Sequence, residues 1–173
     1  MRKVFRSSAL GRFSLLCAAL AMAGVAQAAD VTHSMVANGA VQVELISEGQ
    51  GSLVVMLPSA GRGVDDYDEV AALIAAQGFR VLRPQPRSCG RTTGPHEGIS
   101  LKEVAGDVAA VIRHEKAGPA VLIGHAAGSF VARMAAVEHP ELVRAVVLAG
   151  AGARRYPVEL NGIVQKVGLP GLP

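Results

Sequence analysis

The chain has 173 residues, half of them apolar, and a formal net charge of +3; that length and composition fit one domain with a sizeable core. Four of the 17 basic side chains (Arg2, Lys3, Arg6 and Arg12) fall in the first 28 residues, and none of the 14 acidic ones does. The remainder is close to neutral, so a nucleic acid or an anionic membrane surface is not expected as a partner.

The basic lead is followed by a short apolar run at 13–25 and by the small-x-small pattern Ala26-Gln27-Ala28. Together they have the layout of a secretory signal peptide cleaved near Ala28. The run is shorter than the roughly 20 residues a membrane-spanning helix requires, so export to the periplasm or beyond is expected, without a stable membrane anchor. Cys17 lacks the small residues before it that a lipid attachment site would carry. Cys89 is then the one cysteine left, which rules out an intramolecular disulfide.

After the leader, residues 31–36 and 41–46 suit two strands, the second alternating Val41, Val43 and Leu45 with Gln42 and Glu44. Asn38-Gly39 between them predicts a tight hairpin turn with positive φ at both residues. Residues 53–57 are continuously apolar, as in a strand covered on both faces, and a glycine-containing loop, 58–63, follows. Asp65 and Asp66 predict a helix start that ends near Gly78. Residues 80–83 read as a strand, and 85–98 as loop, from their glycines and prolines.

Ser100-Leu101-Lys102-Glu103 is a capping box opening a helix whose stripe is Val104, Val108, Val111 and Ile112. Asp107, His114 and Glu115 on that helix are read as solvated-face residues. A strand from Ala120, a glycine turn, a second helix, a break at Pro140 and a strand at 144–149 complete the pattern. The alternation predicts an α/β fold with a mostly parallel sheet and helices on both faces. The domain is placed at 29–153, with an irregular segment at 154–173.

The turn is Gly124-His125-Ala126-Ala127-Gly128, between an apolar strand and a helix. That layout lifts a nucleophile above a sheet when the central residue is serine; here it is Ala126. Together with the hairpin, the 58–63 loop, the loop bearing Arg87, Gly90 and Arg91, and His139-Pro140-Glu141, it resembles the α/β-hydrolase family. The resemblance covers residues 31 to about 153. It implies backbone oxyanion donors at Ala127 and at Ala60 and a small-molecule substrate or ligand. It also implies an acid and a histidine after the sixth strand. Beyond Ala149 the sequence offers Glu159 and no histidine, so the chain reads as α/β-hydrolase-like but lacking the last strands, a truncated form whose open sheet edge predicts self-association.

The expected activity is hydrolysis of a small ester- or amide-type substrate, with the catalytic Ser and His absent from the chain. The alternative is a non-catalytic pocket for a small molecule or a partner. Ser59, Cys89 and His125 are pocket candidates. Cys89 stands near Arg87, Arg91 and His96 in sequence, where arginine could stabilise a thiolate, although burial is the more frequent role of such a cysteine. Ser129, a turn beyond Ala126, reads as a packing residue. No cofactor is expected: His96-Glu97, His114-Glu115 and His139 lack metal-ligand spacing, and no glycine loop after the first strand is built for a dinucleotide.

Overall fold

The computed structural model of the chain describes residues 30–151; the leader at 1–28 and the segment at 154–173 lie outside the described residues. Six strands form one sheet: β1 (Thr32–Asn38), β2 (Val41–Glu48), β3 (Ser52–Leu57), β4 (Phe79–Pro84), β5 (Ala120–His125) and β6 (Val143–Ala149). Three α-helices connect them: α1 (Asp68–Ala75), α2 (Leu101–Glu115) and α3 (Gly128–Glu138). The strand order is β1-β2-β4-β3-β5-β6, antiparallel for β1/β2 and β2/β4 and parallel from β4 to β6. Among the described residues β6 is last in that order, with Val147 and Leu148 exposed.

The helices occupy both faces of the sheet. Leu53, Val55 and Leu57 of β3 point to one side with Leu82 and Leu122, and pack against Val108, Val111 and Ile112 of α2 and Ala132 and Ala135 of α3. Val54 and Met56 point the other way, with Val81, onto Ala71 and Ala75 of α1. A strand buried on both faces has no polar register to keep, which is why β3 is continuously apolar.

Ser100 caps α2 as its sequence predicts: its hydroxyl accepts from the Glu103 N–H at 3.3 Å, and the Glu103 carboxylate accepts from the Ser100 N–H at 2.8 Å. The helix stops at Lys116, left-handed at φ +54°, ahead of Gly118.

Several expectations are corrected. The hairpin turns on Gly39 and Ala40, because Asn38 already pairs with Val41. Gly39 alone has positive φ, so the turn is glycine-first and not the double left-handed form. Asp65 and Asp66 sit in a 3₁₀ turn (Val64–Tyr67), and α1 begins at Asp68. β2 does not alternate between core and solvent: Glu44, Ser47 and Glu48 are buried together with Val43, Leu45 and Ile46. Its carboxylates are covered by arginines. Arg83, 1% exposed on β4, donates to Glu48 at 2.7 Å and also meets Asp68. Asp107 and Glu115 are not solvated-face residues either; Asp107 is buried against Arg87, and Glu115 accepts from Arg80 at 3.1 Å.

Glu44 makes the acid limb of stability predictable. Burial pushes its carboxyl upward, but the Arg91 N–H at 2.6 Å, the Arg91 guanidinium at 2.8 Å and His33 at 3.3 Å together hold it below its ordinary value of 4.5. A depressed folded value contributes stability above the unfolded value and loses it as pH falls through the folded one. The stability difference between the unmodified chain and Glu44→Gln is therefore expected to be constant above about pH 5 and to shrink below about pH 4.5. Urea unfolding of both across that range measures it.

Candidate functional site

The sheet's parallel strands all deliver their C-terminal ends to one side, and the turn between β5 and α3 stands there. Two glycines allow it. A Cβ on Gly124 would lie 2.5 Å from the Gly128 carbonyl oxygen, and one on Gly128 would overlap the Leu57 carbonyl and lie 2.7 Å from the Pro58 oxygen. Strand and helix thus cross with backbone touching backbone. Ala126, at the apex, is left-handed with φ +48°, a conformation that costs a residue with a Cβ about 1–2 kcal/mol.

The surroundings hold the apex in place. Its N–H donates to the Ala149 carbonyl at 2.9 Å. The fully buried Ser129 hydroxyl donates to the carbonyls of Ala126 at 2.6 Å and Gly124 at 3.4 Å. Ser129 therefore braces the turn from inside the protein.

Beside the turn lies a cavity of about 780 Å³, within the range of small-molecule sites. Ser59, Ala60 and Gly61 of the loop after β3 form part of its wall, as do Ala127 and Gly128. Neither the Ala60 N–H nor the Ala127 N–H is engaged by another described residue. The apolar wall comes from Val43, Leu57, Val104, Val108, Phe130 and Val131. Ala126 itself is not among the lining residues.

The sequence candidates separate here. Ser59 lines the cavity; Cys89 and His125 do not. The Cys89 thiol is directed at the Arg62 carbonyl, 3.7 Å away. His125 points to the other side of the turn, where its Nδ1 is 3.1 Å from the Tyr67 hydroxyl and the two rings meet edge to face. Burial, with the Asp66 charge nearby, pushes the Tyr67 phenol above its ordinary value. Among the described residues no group of three His, Cys, Asp or Glu is placed to hold a metal ion, and no helix is long and apolar enough to cross a membrane.

Arg87 and Asp107 form the charged part of the wall, and sequence reading missed the second of them. Arg87 Nε and Nη2 donate to the two Asp107 oxygens at 2.7 and 3.1 Å, Nη1 donates to the Pro95 carbonyl at 3.0 Å, and Asn38 adds a donor to Asp107 at 2.8 Å. The two side chains are only 6% and 9% exposed. The hydrogen bonds to Asp107 raise the Arg87 pKa further, against the desolvation that would lower it. A signal was present: Asp107 is three residues after Val104 and four before Val111, so it falls on the buried stripe of α2.

A family model described as the alpha/beta hydrolase fold matches residues 52–168, more than half of the chain. The chain belongs to the alpha/beta hydrolase fold family. Among curated proteins it is 31% identical over 115 residues to "Pyrrolizixenacetamide deacetylase" of Xenorhabdus hominickii, covering 65% of this chain and 42% of that protein. It is 26% identical over 109 residues to "2-(acetamidomethylene)succinate hydrolase" of Mesorhizobium japonicum, covering 63% and 39%. The chain thus spans about two fifths of the length of these relatives.

Among solved structures it is similar to the epoxide hydrolase CorEH, with TM-score 0.71 at 20% identity, covering 82% of this chain and 53% of that one. It is also similar to Est816, described as an N-acyl homoserine lactone degrading enzyme, with TM-score 0.64 at 29% identity, covering 76% and 52%. The alpha/beta hydrolase fold read from the sequence is therefore established, and its hydrolase relatives act on small molecules.

Proposed function

We propose that this chain supplies the carbonyl-binding half of a hydrolase-type site and holds a small ester- or amide-like molecule without a nucleophile at residue 126. One observation carries the reading. The turn keeps the strained φ +48° of a nucleophile elbow and two open N–H groups beside a cavity, while its apex bears only a methyl group. A methyl cannot attack a carbonyl, but Ala60 and Ala127 can still donate to its oxygen, since backbone donors do not depend on side-chain identity. The leader motif supports a role outside the cytoplasm.

Hydrolysis by a water or by a group other than residue 126 is the second reading. It is favoured by the names of the relatives, a deacetylase and a hydrolase, of whose lengths this chain matches 42% and 39%.

A panel of chromogenic esters, given to the chain and to Ala126→Ser, separates the two. The expected result is no turnover above buffer from either. Among the described residues a restored serine still has no base placed for it: His125, its neighbour, is turned toward Tyr67, and loss of a triad member typically removes several orders of magnitude of rate. Turnover by the unmodified chain that a cavity-filling change abolishes would establish the second reading instead.

A further inference from the structure

The polar groups on the cavity wall are largely committed to one another. The Gln85 carboxamide oxygen accepts from the Val64 N–H at 3.1 Å. Ser100 is consumed by its capping box. Arg87 and Asp107 cancel each other through two hydrogen bonds, and Asn38 takes a further Asp107 lone pair. What remains for a ligand is an apolar surface from Val43, Leu57, Val104, Val108, Phe130 and Val131, and the two N–H donors of Ala60 and Ala127. Ser59 and the exposed His96 also stand at the wall.

We propose that the cavity selects an uncharged acyl compound of medium chain length, an amide, ester or lactone. Its carbonyl oxygen is held by Ala60 and Ala127, and its chain lies along the α2 and α3 wall. This deepens the carbonyl-binding reading and rests on it. Charge selection follows from the closed ion pair. A carboxylate entering the cavity loses hydration, and the described arginine on the wall offers it no free countercharge, because the Arg87 guanidinium is already neutralised by Asp107. An ammonium is worse placed still, facing two N–H donors. Chain selection follows from the wall, since each methylene buried against it tightens binding about fourfold.

The experiment is calorimetric titration of the intact chain with octanamide, butanamide, octanoate and octylammonium. Octanamide is expected to bind tightest, butanamide roughly two hundred-fold more weakly for its four missing methylenes, and octanoate at least tenfold more weakly than octanamide. The backbone amide resonances of Ala60 and Ala127 are expected to move on addition of octanamide. Val131→Trp fills the cavity and should remove octanamide binding while the folded circular dichroism spectrum is kept; Val104→Phe serves if that variant does not fold. Equal affinity for octanamide and butanamide, equal affinity for octanoate and octanamide, or unchanged binding by the filled variant would overturn the proposed selection while leaving carbonyl binding to be judged by the amide shifts. Binding of none of the four compounds would overturn both.

Discussion

Gly128→Ala is expected to unfold most of the protein at room temperature, or to lower its stability by roughly 3 kcal/mol or more. The added methyl would overlap the Leu57 carbonyl and lie 2.7 Å from both the Leu57 carbon and the Pro58 oxygen. These are backbone atoms of β3 and of the loop that carries Ala60, so no rotamer change relieves the contact. Either α3 lifts from the sheet, exposing Ala132 and Ala135, or the loop is displaced. A domain whose total stability is about 5–15 kcal/mol tolerates little of this.

Gly106→Ala on α2 is the matched control. There the nearest atom to a new methyl is the Asn38 amide nitrogen at 3.7 Å, an ordinary contact, and φ is not positive. Removing a helix-interior glycine should stabilise by about 0.5–1 kcal/mol. Urea unfolding of both variants reads the contrast, and a Gly128→Ala protein as stable as the parent would mean that strand and helix do not cross this closely.

The same turn shows what could be read from the chain alone. A short apolar strand, two glycines four residues apart and a following helix give the crossing directly, because only a missing Cβ permits it. Ser100 and Glu103 likewise announce the start of α2, since a capping box is satisfied within four residues. Legibility fails where a partner comes from far along the chain. Glu44 and Glu48 look like the solvent face of an alternating strand until Arg91 and Arg83 are brought over them. Asp107 looks like a solvated carboxylate until Arg87, 20 residues earlier, folds back onto it. His125 adjoins the apex in sequence, yet the ring lies on the side of Tyr67, 58 residues away, because it shares the face of Ile123, two residues earlier on β5, whose cluster includes Tyr67. Local geometry and apolar periodicity were visible; the pairing of charges, which decides what the cavity can bind, was not.

The Arg87–Asp107 pair then connects stability to selection. Asp107→Leu would leave a guanidinium only 6% exposed with, among the described residues, the Pro95 carbonyl as its remaining hydrogen-bond acceptor. Breaking one side of a buried pair typically costs about 3–5 kcal/mol, most of it the penalty of the stranded charge. Arg87→Met combined with Asp107→Leu removes that penalty, so the double variant is expected to be more stable than Asp107→Leu alone, with a coupling of about 2 kcal/mol or more in a double-mutant cycle. A cycle that closes near zero would show the pair to be solvated. The near-isosteric Asp107→Asn carries the argument into the cavity. It keeps acceptor and shape but leaves the Arg87 charge uncancelled at the wall, so a carboxylate would now find the countercharge that the parent withholds. Octanoate should then overtake octanamide in affinity, whereas in the Arg87→Met, Asp107→Leu protein, whose wall is again neutral, the amide should stay ahead. An ion pair that merely held the loop to α2 would shift both ligands together and leave their order unchanged.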